Sequence, residues 1–361
     1  MSKLKALASQ TMVYGVSTIM GRLINFALYP TFSYLLEGTS DLGVVTNLYA
    51  YVALLNVLCV MGMETTFFFY ANKKSEESAF NNGFTIILGA AGIISLLVFL
   101  GAPLIDSIQQ TGNPVYYRLI AGTLLFDALA ILPFARMRHR NKARKFALLK
   151  FLGIILNVAF SLLFLFGCKY MADHPVLGPY LGPEKMVFYI FLANFLVSGI
   201  TLLIIVREFK GFKPSFDGAV MNELFRYSWP LIAVGLAAWV NENMDKSIMA
   251  NLVPGTMEEG YSQTGIYGAV YKLSIAMALV VQAFKFAAEP FFFSIQKDGD
   301  AKETYALVLK WFVIMECMVF LGVALNLDLI LLILEEKYRI GKNVVPIVLL
   351  GQLFLGIYYN L

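Results

Sequence analysis

The sequence predicts an all-α integral membrane protein with about ten transmembrane helices. Three observations carry this. Of 361 residues 59% are hydrophobic and only 14% are charged, with a mean hydropathy of +0.70, far from the balance of soluble globular chains. Apolar runs of about 20 residues, the length that crosses a hydrocarbon core of about 30 Å, recur along the whole sequence. The runs are also continuous: FTIILGAAGIISLLVFLGAP is longer than a barrel strand needs and does not alternate apolar with polar.

The expected spans cover 12–36, 42–70, 83–105, 116–135, 146–168, 186–206, 229–251, 265–288, 306–327 and 344–360. The first follows Lys3 and Lys5, is too long for a signal-peptide core and precedes no small-residue cleavage site, so it stays on the protein. Loop charges orient the rest. With the amino terminus inside, one side collects Lys3, Lys5, Lys73, Lys74, the run from Arg136 to Lys145, Arg207, Lys210, Lys213, Arg226, Lys297 and Lys302. The other holds only Arg118, Lys169, Lys185, Lys337, Arg339 and Lys342. That bias puts the amino terminus in the cytoplasm. The densest basic stretch, RMRHRNKARK at 136–145, reads beside a membrane helix as a topology anchor on anionic lipid and not as a nucleic-acid contact.

Several functions are disfavoured. The longest connections, Arg207 to Ser228 and Lys169 to Lys185, are too small for a folded soluble domain, and no GxxxxGK[ST] phosphate loop is present. His139 and His174 fall in loops, no metal-ligand cluster stands out, and Cys59, Cys168 and Cys317 lie within spans as small hydrophobes. No cofactor and no catalytic centre are expected.

The informative positions are charges inside the spans, each costing about 2.5–3.5 kcal/mol on insertion scales. Arg22 shares a stripe with Thr11, Tyr14, Thr18, Asn25 and Tyr29, an arc of about 80° at helical spacing. In LAAWVNENMDKSIMANL, residues Asn241, Glu242, Asp245 and Lys246 fall within about 140°, with Met244 turned away. Lys272 follows, then Gln282, Lys285 and Glu289 at spacings of three and four; Glu64, Asp127 and Glu316 complete the set. The plainer alternatives are that Asp245 with Lys246, or Lys285 with Glu289, neutralise one another in the packing, and that Lys272, Glu289 and Glu316 snorkel to headgroups. The two halves look alike: SKLKALASQT and MNELFRYSWP each introduce a helix, and aligning Ser9 with Ser228 sets Arg22 opposite Asn241. Two bundles are expected, 1–210 with six helices and 211–361 with four, around a path near the midplane.

GRLINFALYPTFSYLL, GMETTFFFYAN, LPFARMRHRNKARKFALLKFLGIILNVAF, NENMDKSIMANL and TGIYGAVYKL together resemble the oligosaccharide or O-antigen (Wzx-type) flippase family of the multidrug/oligosaccharidyl-lipid/polysaccharide exporter superfamily, over nearly the whole chain. The resemblance implies two helical bundles in a V that open alternately to each side. Its implied cargo is a polyprenyl-pyrophosphate-linked oligosaccharide, flipped from the cytoplasmic to the periplasmic leaflet of the bacterial inner membrane during lipopolysaccharide synthesis. Membrane lipid, a polysaccharide polymerase and glycosyltransferases are the implied partners, and Arg22, Asp245 and Lys272 fall where that family has lumen charges. The family has twelve or fourteen helices, so the resemblance also implies a chain short at its carboxy terminus. On this reading Arg22, Asn25, Asn241, Lys246, Lys272 and Lys285 contact cargo, and Glu64, Asp127, Glu242 and Asp245 carry the coupling ion. A cation-coupled multidrug exporter on the same scaffold, and a membrane glycosyltransferase or polymerase, are the rival readings.

Overall fold

The computed structural model describes residues 20–21, 23–24, 26–73, 75–178, 180–282, 284 and 301–358. The chain is an all-α, multi-pass membrane protein. Eight helices among the described residues are long and apolar enough to cross a membrane. Two more expected spans complete the ten: α1, seen from residue 20 to 35, and α8 (Gly218–Leu252), whose polar positions lower its hydropathy. On α4 (Glu76–Gln109) Leu97, Leu100 and Leu104 share one face at 65–67% exposure, the outward apolar face that a lipid solvent demands.

Local chemistry sets the helix ends. α2 (Thr39–Val60) stops where Met61 and Gly62 take φ of 52° and 64°, and α3 (Met63–Lys73) restarts with Thr66 N–H and Oγ1 both donating to the Gly62 carbonyl. The span expected at 42–70 runs from Thr39 to Lys73, with this two-residue turn inside it. A glycine suits the break because it takes φ > 0 freely, and a Cβ there would press into Leu231. α4 opens with Glu76 and Glu77 on its positive dipole end. α5 (Val115–His139), by contrast, closes with Arg136, Arg138 and His139 on its negative end. After α6 (Ala143–Tyr170) and α7 (Met186–Ile205), Asp217 caps α8 by accepting from the N–H groups of Ala219 (3.1 Å) and Val220 (3.2 Å). α8 thus begins eleven residues before the expected 229, and MNELFRYSWP is its first part instead of a separate segment. The later helices are α9 (Met257–Gln282, with a 3₁₀ turn at Lys272–Ser274), α10 (Ala301–Leu325) and α11 (Glu336–Tyr358).

Contacts gather the chain into two compact units, Met1–Leu42 with Gly265–Leu361, and Gly43–Thr264. The sequential bundles 1–210 and 211–361 divide it differently and stay a proposal. In the first unit Phe312 of α10 packs on Phe284 at 4.3 Å between centroids, and Lys337 Nζ donates to the last carbonyls of α1, Leu36 (2.7 Å) and Glu37 (3.0 Å).

In the second unit α4, α5, α6 and α7 are tied at their basic ends around three carboxylates. Glu76 accepts from Arg136 Nε (2.6 Å) and Arg140 Nε (2.8 Å); Glu208 accepts from Lys145 (2.6 Å) and Lys142 (3.2 Å); Glu64 pairs with Arg138. Arg136 also lies 4.5 Å from the Phe80 ring centroid. Most of the basic run 136–145 thus pairs with carboxylates of the protein itself, and the expected contact with anionic lipid stays a proposal. Glu208→Gln is expected to leave Lys142 and Lys145 crowded without their counter-ion and to cost about 1–2 kcal/mol, since both lysines are partly exposed. The melting midpoint of the purified protein in detergent checks this, and an unchanged midpoint refutes it.

Candidate functional site

α8 is about 52 Å long at 1.5 Å per residue, so Asn241–Lys246 lies in its last third, nearer the end opposite the basic one than the midpoint the sequence suggested. The cluster also divides. Lys246 is 7% exposed, with Nζ donating to Asp245 Oδ1 at 3.2 Å and to the Glu242 carbonyl. Asp245 is half-buried, while Asn241 and Glu242 stand exposed. For Lys246 and Asp245, mutual neutralisation, the plainer alternative, is what the geometry contains; Asn241 and Glu242 remain open to a ligand.

α2 grips this stretch of α8. Asn47 Nδ2 donates to the carbonyls of Lys246 (3.1 Å) and Ser247 (3.0 Å), Tyr51 Oη to that of Ser247 (3.1 Å), and Trp239 Nε1 to that of Ala50 (2.7 Å). Side chain-to-backbone bonds of this kind hold membrane helices where no hydrophobic force separates protein from lipid. Asn47 Oδ1 and Thr46 Oγ1 stay buried without a partner in the same place.

Lys272 has a different setting. It sits at the 3₁₀ turn that interrupts α9, sixteenth of the 26 residues in the Met257–Gln282 span, half-buried. Its ammonium lies 4.4 Å from the Tyr29 ring centroid, and no described residue gives it a hydrogen bond or an ion pair. A ring face attracts a cation but does not neutralise it. This is a mid-span charge with no counter-ion among the described residues.

Asp127 on α5 accepts from the Ser198 hydroxyl on α7 and feels the charge of Lys150 on α6, whose ammonium stands 4.4 Å from the Phe134 ring centroid. Beside this runs a polar relay: Asn157 Nδ2 donates to Asn194 Oδ1 at 2.9 Å, and Asn194 Nδ2 to Tyr49 Oη at 2.5 Å, linking α6, α7 and α2. Glu64 is committed to Arg138. Glu316, for which snorkelling was the plainer alternative, is 0% exposed on α10, and neither carboxylate oxygen has a hydrogen-bond partner among the described residues; it lies mid-helix, too far from either end to reach headgroups. Arg22, Asn25, Lys285 and Glu289 lie outside the described residues.

Sequence reasoning missed Lys150, Asn47 and the Tyr49–Asn194–Asn157 relay. Lys150 carried a usable signal, being a charge within the expected span 146–168. The neutral amides did not, because one asparagine in an apolar run is inexpensive enough to pass unnoticed until its partners on other helices are known.

The polysaccharide biosynthesis protein family matches residues 35–340. A search among curated proteins finds no match. Among solved structures the fold is similar to the inward-facing conformation of a multidrug resistance MATE family transporter of the MOP superfamily, with a TM-score of 0.62 and 13% identity, over 97% of this chain and 85% of that one.

Proposed function

The chain belongs to the polysaccharide biosynthesis protein family, and from that premise we propose that it is a transporter and not an enzyme, flipping a polyprenyl-pyrophosphate-linked oligosaccharide across the bacterial inner membrane. The observation that carries this is Lys272, a mid-span ammonium that has the Tyr29 ring beside it and no ion pair among the described residues, which suits a multiply charged phosphate better than an apolar drug. Arg22, Asn25, Asn241 and Lys285 supply further contacts to pyrophosphate and sugar, whereas Lys246 is held by Asp245 and the Glu242 carbonyl. Asp127 and Glu242 carry the coupling ion, Asp245 stays the counter-ion of Lys246, and Glu316 joins the first two because its buried carboxyl has no hydrogen-bond partner among the described residues and so favours a bound proton or cation. Glu64 enters as the counter-ion of Arg138. The loop-charge bias supports a cytoplasmic amino terminus and cargo loading from that side. Alternating access follows if ion and cargo bind the two conformations unequally.

The test is purified protein in proteoliposomes containing a fluorescent polyprenyl-pyrophosphate oligosaccharide, with a membrane-impermeant quencher reporting transbilayer movement. Protein-dependent movement is expected. Ion-driven efflux of cationic drugs without lipid movement would make the chain a multidrug exporter, and sugar transfer to a lipid acceptor would make it a glycosyltransferase or polymerase.

A further inference from the structure

In the second unit α4 and the first turns of α8 line an open apolar pocket of about 560 Å³, with Met61, Ile86, Gly89, Ala90, Phe216 and Phe225 among its walls. That is the size of a small-molecule site, roughly 300–1,000 Å³. A Cβ added at Gly89 would meet nothing within 4 Å, so the space reaches the helix backbone. The connection from α7 to α8 forms the rim and is pinned to α4: Lys213 N–H donates to Asn81 Oδ1 and Ser215 N–H to Thr85 Oγ1, each at 3.3 Å. Phe216 stands 77% exposed beside it.

The charges of this rim differ from those next to it. Arg136, Arg138, Arg140, Lys142 and Lys145 are spent on Glu64, Glu76 and Glu208. Lys210 and Lys213 on the connection, and Arg226 one residue past Phe225, are exposed and unpaired among the described residues. Asp217, the acid within the connection, turns its carboxylate to the N–H groups of Ala219 and Val220. Glu223 lies half-buried on α8. Unpaired cations around an apolar hole at the end of membrane-spanning helices complement an amphiphile with an anionic head and a hydrocarbon chain. An apolar partner alone would leave the cations unused, and a free anion would leave the apolar walls of the pocket uncovered.

The geometry points to a binding site for an anionic phospholipid of the adjoining leaflet, its acyl chain in the cavity between α4 and α8 and its phosphate at Lys210, Lys213 and Arg226. The site is independent of the transport reading: it is built within the second unit and needs no cargo.

Native mass spectrometry of the full chain, released from detergent with phosphatidylglycerol or phosphatidylcholine of identical acyl chains, tests it. One phosphatidylglycerol is expected to bind roughly tenfold more tightly than phosphatidylcholine. Gly89→Leu, which projects an isobutyl group into the pocket from a position where a Cβ meets nothing within 4 Å, is expected to weaken retention of both lipids at least about tenfold. The surface triple variant Lys210→Gln, Lys213→Gln, Arg226→Gln is expected to bring phosphatidylglycerol down to the phosphatidylcholine level. Equal binding of the two lipids by the unaltered chain, or undiminished binding in both variants, overturns the assignment. Displacement of phosphatidylglycerol by an equal concentration of polyprenyl phosphate overturns it in favour of the cargo's own tail.

Discussion

Lys272→Gln is expected to reduce transbilayer movement of the lipid-linked oligosaccharide by about ten- to a hundredfold. A charge-assisted hydrogen bond to phosphate contributes about 1.5–3 kcal/mol, and each 1.4 kcal/mol is a factor of ten in binding. The amide keeps the length and some polarity of the side chain but loses the charge. The melting midpoint should hardly change, because the ammonium gives up no described ion pair, only its approach to the Tyr29 ring. Lys272→Arg should keep most of the activity, since guanidinium also engages phosphate. Tyr29→Leu should fall between, because it frees the ammonium to wander without discharging it. Rates in proteoliposomes, read beside the melting midpoint, separate these outcomes. Full transport in Lys272→Gln would remove the observation on which the phosphate-cargo reading stands.

The second large effect is on folding. Gly43 of α2 lies against the backbone of α9, where a Cβ would overlap the Tyr261 carbonyl, and Gly260 of α9 lies likewise against the Ala250 carbonyl of α8. Backbone is the neighbour in both places, so no side chain can swing aside. Close approach through small residues is how membrane helices gain dispersion energy in a solvent as apolar as themselves. Gly43→Val is expected to force α2 and α9 apart, at about 3 kcal/mol or more, and to remove folded protein from the membrane fraction. Gly89→Val, a change of the same size facing open space, should express normally. Size-exclusion profiles of the two variants in detergent decide it, and a normal Gly43→Val profile would refute the close contact.

Much was legible in the chain itself. The span from Ala143 to Tyr170 lies close to the expected 146–168, and that from Met186 to Ile205 close to 186–206, because a hydrocarbon slab imposes a length and an apolar composition that any window of sequence exposes. The charges worth attention were likewise visible, since a charge inside such a window is costly. Their partners were not: Arg136 and Glu76 stand 60 residues apart, and Lys145 and Glu208 stand 63. Nothing local in either stretch announces the other.

By itself, then, the sequence determined that this is a helical membrane protein, roughly where its helices run, which face is basic and which positions carry unusual charge. Tertiary structure alone decided what each charge does. It bound Lys246 to Asp245 and Glu64 to Arg138, left Lys272 beside an aromatic ring, and left the cations at the α7–α8 connection exposed and without an ion pair among the described residues. The physical reason is one of range: burial in lipid is priced residue by residue along the chain, whereas the pairing of charges depends on which helices become neighbours.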